Sequence, residues 1–373
     1  MSSSEGQPMF SPNSVTIVLP CRNEEERIKN CLDSLLGFTG LEDVDWEIWI
    51  FDGQSEDRTP LIVKDVAERE DRVKYFHNEH MYQGLAVNQA VEKGVGEFLL
   101  WLGSHAEYPA DYLAFLLGTA RRVDADIVGG MLETRAGGEG YGAAVVQALT
   151  THRFGVGDSG FRSGTKEGLA DTVPYALYRR SVFERLGLFD VRLIRAQDYE
   201  FNRRVKEAGG KIWINPEIKT VYYNQSSLQA FLMKQIRSEA PYNAYLWYLA
   251  PYAFTWRHGV TACFALGVIG GIALSPFVDW IRWIFSGVMA LYGVLALVAG
   301  LQQAVRYRYL RHLLCLPITF FLFHFLHGLG VLWGLLKLLT STAPVQKTPE
   351  PWPGAGRKRA WPIPEMELES GDG

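Results

Sequence analysis

Three short polar runs each follow an apolar stretch, and together they carry the groups that a charged small molecule needs. Arg22-Asn23-Glu24 follows Val15-Thr-Ile-Val-Leu19 and Pro20. Asp52-Gly53 follows Trp46-Glu-Ile-Trp-Ile-Phe51, and Ser104-His105 follows Glu97 to Leu102. A guanidinium, two carboxylates, a hydroxyl and an imidazole at the ends of successive apolar runs suit a bound nucleotide. No glycine-rich P-loop or dinucleotide fingerprint follows the first run, so phosphates must be held another way. Further along, Arg195-Ala-Gln-Asp-Tyr-Glu200 puts Asp198 and Glu200 in what reads as the first turn of a helix. Carboxylates gain there from the helix dipole and the free backbone N–H groups.

The elements around these runs explain why they would meet. Val15 to Leu19 is β-branched and ends at Pro20, as a buried parallel strand does. Asn23 is placed to cap a helix through Leu36, whose Ile28, Cys31, Leu32, Leu35 and Leu36 share one face. Trp46 to Phe51 is a second strand, and Thr59-Pro60 opens another helix as cap and first helical residue. Val73 to Phe76 is a third strand, Ala86 to Val91 helical, and Glu97 to Leu102 a fourth strand. This alternation is the α/β pattern of a parallel sheet covered on both faces. Ligands of such sheets bind beyond the carboxyl ends of the strands. Two later strands are expected at Thr172 to Tyr178 and Lys211 to Ile214, flanking a helix that Gly209-Gly210 ends.

Composition divides the 373 residues unevenly. Residues 1–13 are polar and rich in Ser, Pro and Gly, without the basic start and apolar core of a signal peptide, and are expected to be disordered. Residues 14–225 mix charge and apolar groups as a globular domain does. Residues 226–258 bring aromatics with Lys234 and Arg237, suiting helices at a bilayer surface. Over residues 259–340 three stretches approach the ~20 residues that span a hydrocarbon core: Gly259 to Phe277, Ile281 to Leu301 and Leu313 to Leu339. Arg306, Arg308 and Arg311 then fall on the cytoplasmic side if the first domain is cytoplasmic. The third stretch, holding Pro317, His324 and His327, reads either as a crossing or as a bent re-entrant segment, and the whole set alternatively as buried core helices. Residues 341–373, with Arg357-Lys358-Arg359, are expected to be disordered. A net charge of −4 gives no basic face for nucleic acid. The four cysteines lack metal or paired spacing and read as reduced, buried thiols.

The runs Leu19-Pro-Cys-Arg-Asn-Glu24, Asp52-Gly-Gln-Ser-Glu-Asp57, Gly103-Ser-His-Ala-Glu-Tyr-Pro109, Phe154-Gly-Val-Gly157, Asp171-Thr-Val-Pro174 and Gln197-Asp-Tyr-Glu200 occur in that order. Together they resemble the inverting glycosyltransferase family 2, and within it the succinoglycan-building glucosyltransferase branch. The resemblance covers about residues 14 to 225. It implies a GT-A fold with a mixed, mostly parallel sheet, a nucleotide-sugar donor (commonly a UDP-sugar) and a lipid-linked acceptor.

Carried over residue by residue, the resemblance makes Asp52 the acid that hydrogen-bonds the nucleobase, although a turn aspartate looks the same. Pro20, Arg22 and Glu24 match the first nucleotide-contacting loop; Arg22 alternatively is a surface charge and Glu24 a helix-dipole carboxylate. Ser104 and His105 sit in the metal motif. His105 matches its last position, while Gly103 replaces the first aspartate. A divalent cation (Mn or Mg) would then rest on the diphosphate, His105 and water, helped by Glu107; otherwise Arg or Lys neutralises the leaving group. Asp198 matches the catalytic base, which removes the acceptor hydroxyl's proton and typically contributes ~10²–10⁴-fold. Glu200, about 200° further round the helix, does not share that role. Arg203 and Arg204 either meet the diphosphate or are solvated helix charges. Arg162 and Asp171 fall on the acceptor side.

The implied reaction moves glucose or a related sugar from a UDP donor to a polyprenyl-diphosphate-linked saccharide. It would serve polysaccharide biosynthesis, from a multi-pass protein of the cell inner membrane whose catalytic domain is cytoplasmic. Transfer directly to polyprenyl phosphate is the first alternative. A non-catalytic nucleotide-sugar-binding scaffold is the second, since Gly103 departs from the metal motif. The Gln-x-x-Arg-Trp signature of polymerising synthases does not follow Asp198.

Overall fold

The computed structural model describes residues 11–345 apart from His80, Asp158 and Ser159. The expectations for residues 1–10 and 346–373, including the Arg357-Lys358-Arg359 cluster, lie outside the described residues. The chain divides into two compact units. The first holds residues 11–132 and 165–222, and the second residues 133–164 and 223–345 of those described.

Among the described residues nine strands form one sheet: β1 (Ser11–Cys21), β2 (Asp45–Asp52), β3 (Val73–His77), β4 (Gly96–Trp101), β5 (Ala106–Glu107), β6 (Ile127–Arg135), β7 (Gly168–Leu169), β8 (Leu177–Arg179) and β9 (Ile212–Tyr223). Their order is β3-β2-β1-β4-β8-β6-β9-β5, with β7 on β9. The first four strands run parallel, so their carboxyl ends share one edge: Cys21 pairs with Asp52, and Asp52 with His77. From β8 onward the pairings turn antiparallel. The sheet is therefore mixed, and β1 begins at Ser11, inside the segment expected to be disordered.

Ile17, Val18 and Leu19 on β1 are fully buried, as a strand covered on both faces requires. The helix Ile28–Leu36 buries Ile28, Cys31, Leu32 and Leu35 in the same core as Ile17 and Ile48. Each such side chain contributes roughly 1.5–3 kcal/mol relative to exposure. Helix Gln83–Lys93 is fixed by Asn88, whose amide donates to the Phe189 carbonyl and accepts from the Phe189 N–H, both at 2.9 Å.

Three local expectations change. Asn23 does not cap the first helix, which starts five residues later behind Arg27. The strand expected from Thr172 shrinks to Leu177–Arg179, because Tyr175 takes a left-handed backbone (φ 47°). The strand expected at Lys211 to Ile214 runs on to Tyr223, through Pro216. The Asn215 side chain accepts from the Glu217 N–H there (3.0 Å) and carries the chain past the missing proline donor.

In the second unit, helices Asp279–Tyr307 and His312–Leu339 are long and apolar enough to cross a membrane. The apolar stretch Gly259–Leu274 is shorter than that, where the sequence suggested three comparable crossings. His312–Leu339 is one continuous helix with Pro317 inside it. Its glycines let neighbours approach: a Cβ on Gly328 would lie 2.0 Å from the Thr261 carbonyl oxygen, and one on Gly330 2.7 Å from Ala240 Cβ. Ala240–Leu249, expected to lie amphipathic at a bilayer surface, is instead buried at every residue from Ala240 to Leu246. Two histidines of the helix His312–Leu339 pair with hydroxyls of neighbouring helices. Tyr292 Oη lies 2.8 Å from His324 Nδ1, and Thr261 Oγ1 3.0 Å from His327 Nδ1. Of the four cysteines, all free, Cys21 and Cys31 are buried as expected, Cys315 is half-buried and Cys263 is exposed.

Replacing Gly328 with valine should lower the Tm in detergent, at a cost of about 1–3 kcal/mol for overpacking. An unchanged Tm would show that helices Trp256–Leu274 and His312–Leu339 do not meet there.

Candidate functional site

The carboxyl edge of the parallel strands carries two loops laced together by side chains bonding to backbone. Asp52, the last residue of β2, is 2 % exposed. It is held by Ser55, whose hydroxyl and N–H both donate to its carboxylate, and by the Tyr75 hydroxyl at 3.4 Å. Ser55 Oγ in turn accepts from the Asn23 N–H (2.9 Å), and Asn23 Oδ1 accepts from the Glu56 N–H (2.8 Å). This use of its side chain across the gap is why Asn23 caps no helix. Thr59 Oγ1 accepts from the Glu24 N–H at 2.8 Å. Asp57 Oδ2 accepts from the Glu25 N–H, and Glu25 Oε2 from the Arg58 N–H. Asn23 and Gln54 both take left-handed backbones, at φ 53° and 60°. Such strained residues persist only where surrounding bonds over-determine them.

Pro20 is buried within β1 opposite Phe51, so it shapes the strand end, while Arg22 is exposed on the loop. Cys21 beside it stays a neutral thiol: burial, then the Asp52 carboxylate, push it well above the usual thiol range. Glu24 reaches across to His105, with Oε1 3.5 Å from Nδ1. The imidazole packs edge-on against Tyr222 with ring centres 5.6 Å apart. Ser104 is buried. Both polar backbone atoms of Gly103 bond to the Tyr108 hydroxyl, at 2.9 and 3.0 Å.

Among the described residues no three His, Cys, Asp or Glu side chains gather as a ready-made cation site. The place of a side chain on Gly103 is filled by the Tyr175 ring, whose nearest carbon would stand 2.7 Å from a Cβ there. Glu24 and His105 thus make a two-ligand set, which fits a cation only if a bound diphosphate completes the shell.

Helix Gln197–Glu207 sorts its charges by burial. Asp198 is half-buried, and its charge, after burial itself, pushes the Tyr178 phenol upward. Tyr178 pairs with Leu99 of β4, so the helix start lies over the middle of the sheet. Ala196, two residues before Asp198, is again left-handed (φ 61°). Glu200 is 1 % exposed and ion-paired with Arg204, which also donates to the Leu186 and Leu188 carbonyls (2.9 and 2.8 Å). Neither diphosphate contact nor solvation describes Arg204, because its guanidinium is spent inside the domain. Arg203 bonds Glu207 at 3.1 Å, the Asp171 carboxylate pairs with Lys206, and Arg162 lies on the short helix Gly160–Ser163 of the second unit.

Sequence reasoning missed Ser55, Thr59 and Tyr75 as partners of the loops. It also missed the buried Asp190–Arg192 pair (2.6 Å) ahead of the Asp198 helix. Ser55 and Thr59 had a signal, since hydroxyls beside Asp52 and Asp57 make local side-chain-to-backbone bonds.

Replacing Glu200 with glutamine should destabilise the first unit by about 3–5 kcal/mol, because it strands a buried guanidinium. The same change at half-buried Asp198 should leave the Tm nearly unaltered. Equal Tm shifts for the two variants would contradict this sorting.

A family model described as glycosyl transferase family 2 matches residues 16–187. The succinoglycan biosynthesis protein ExoA of Rhizobium meliloti is 31% identical over 61% of this chain and 67% of its own length. A dolichyl N-acetyl-alpha-D-glucosaminyl phosphate 3-beta-D-2,3-diacetamido-2,3-dideoxy-beta-D-glucuronosyltransferase of Methanococcus voltae is 28% identical over 87% of this chain and 98% of its own length. Among solved structures, a mannosyltransferase from Pyrobaculum calidifontis in complex with GDP-Man and Mn2+ superposes with a TM-score of 0.56. It is 18% identical over 87% of this chain and 88% of that one, a likeness that shows the fold alone.

Proposed function

We propose, from the premise that this chain belongs to glycosyl transferase family 2, that it moves a sugar from a UDP donor to a lipid-linked saccharide with inversion. That it is a glycosyltransferase with a GT-A fold follows from the family. The observation that carries the finer reading is the buried Asp52 carboxylate, fixed at the strand edge by Ser55 and Tyr75. A carboxylate so placed accepts the imide N–H of uracil and penalises bases that lack it. The acceptor class is drawn from the Methanococcus relative, whose name specifies a dolichyl-phosphate-linked sugar.

In this reading the donor's base meets Asp52 and its diphosphate lies along Arg22, Ser104 and His105. A divalent cation bound with the donor would be held by Glu24 and His105 beside the phosphates, offsetting the charge that develops on them. Asp198 takes the proton of the acceptor hydroxyl as its oxygen bonds to the anomeric carbon. The anomeric C–O bond to the diphosphate breaks on the opposite face, and its electron pair leaves with UDP. Arg203 on this helix adds positive charge, and Asp171 is assigned to the acceptor side.

The two spanning-length helices carry large exposed apolar side chains, among them Trp280, Trp283, Ile284 and Leu291. Such surfaces suit lipid and support the reading of an inner-membrane protein whose first unit is cytoplasmic.

Membranes expressing the chain, given labelled UDP-glucose and Mn2+, should pass label into organic-extractable lipid. Asp198→Asn should lower that transfer by ~10²–10⁴-fold while keeping UDP affinity. Transfer by this variant at the wild-type rate would sink the assignment of the base.

A further inference from the structure

A side chain on residue 103 would have to displace the Tyr175 ring. A Cβ built on it would stand 2.7 Å from Tyr175 Cε1, 2.9 Å from the Tyr175 hydroxyl oxygen and 3.1 Å from Cζ. The ring has little freedom to yield. Its residue takes a left-handed backbone at φ 47°, its carbonyl accepts from the Tyr112 hydroxyl at 2.8 Å, and its ring meets Tyr108 edge-on at 5.7 Å. Tyr108 closes the set by bonding both backbone polar atoms of Gly103. Ring and glycine are therefore a matched pair, and the phenol oxygen occupies the space where a carboxylate on residue 103 would begin.

This space borders the donor site. Gly103 leads directly into Ser104 and His105, and His105 meets Glu24. Tyr175 is only half-buried, so part of it reaches solvent. The chemistry differs from that of a carboxylate in one decisive respect. A neutral phenol can donate a hydrogen bond to an anionic phosphate oxygen, whereas a carboxylate repels that oxygen unless a cation stands between them.

We infer that Tyr175 is a donor-positioning residue, its hydroxyl bonding the nucleoside diphosphate from the place where a side chain on residue 103 would stand. The inference rests on the nucleotide-sugar reading above and adds a residue to it. It also explains how the site tolerates Gly103: direct hydrogen bonding takes over part of the work that a second cation-binding carboxylate would do.

The test uses the full chain in detergent, with UDP and GDP as probes, titrated by calorimetry in EDTA and again with Mn2+. Tyr175→Phe keeps the ring over Gly103 and removes only the hydroxyl. It should weaken UDP binding roughly tenfold in EDTA, the loss of one hydrogen bond to a charged group, with Tm unchanged. Gly103→Ala should lower the Tm, and adding Tyr175→Ala should restore it, which reads the matched pair independently of any ligand. Unchanged UDP affinity in Tyr175→Phe would overturn the inference, leaving the ring as a space-filler. Wild-type protein that binds neither nucleotide would overturn the nucleotide site itself and this assignment with it.

Discussion

A buried carboxylate must be supplied with hydrogen-bond donors, and Asp52 imposes that demand on the edge of this sheet. Ser55 answers it twice and Tyr75 once, and Ser55 then recruits the Asn23 N–H from the neighbouring strand's loop. Once that chain of bonds is in place, Glu56 closes back on Asn23, and Thr59 and Asp57 take the N–H groups of Glu24 and Glu25. The two loops are thereby tied to one another. The left-handed Asn23 and Gln54 are consequences of that lacing. Glu24 lies across from His105 on the same edge.

A second division of labour lies on the helix Gln197–Glu207. Two carboxylates two residues apart in the sequence face opposite ways, and their surroundings differ. Glu200 is neutralised inside the domain by Arg204, which ties the helix to the Leu186 and Leu188 carbonyls. Asp198 is left half-exposed, its charge acting on Tyr178 of the sheet.

Much of this was legible in the sequence wherever local pattern and tertiary context agree. β1 and β2, the apolar face of Ile28–Leu36 and the start of the Asp198 helix appear from periodicity and cap chemistry. β6 stayed hidden because Gly129 and Gly130 interrupt it. Those glycines are required by the close approach of Val173 and of the Ile218 carbonyl, neighbours distant in sequence. Pro216 hid the length of β9 for a similar reason, since Asn215 rescues the strand with a bond no pattern announces. Arg204 looked available for phosphate because its burial is decided by residues of another loop. Asp52, His105 and Asp198 stood out in the sequence by type and spacing; Tyr175 did not, because only its contact with Gly103 draws attention to it.

The most direct measurement is a structure of the full chain with a UDP-sugar and Mn2+ bound. The account predicts uracil against Asp52, the diphosphate beside Arg22 and His105, and the anomeric carbon facing Asp198. A nucleotide bound away from the Asp52 rim, or a sugar turned from Asp198, would contradict it.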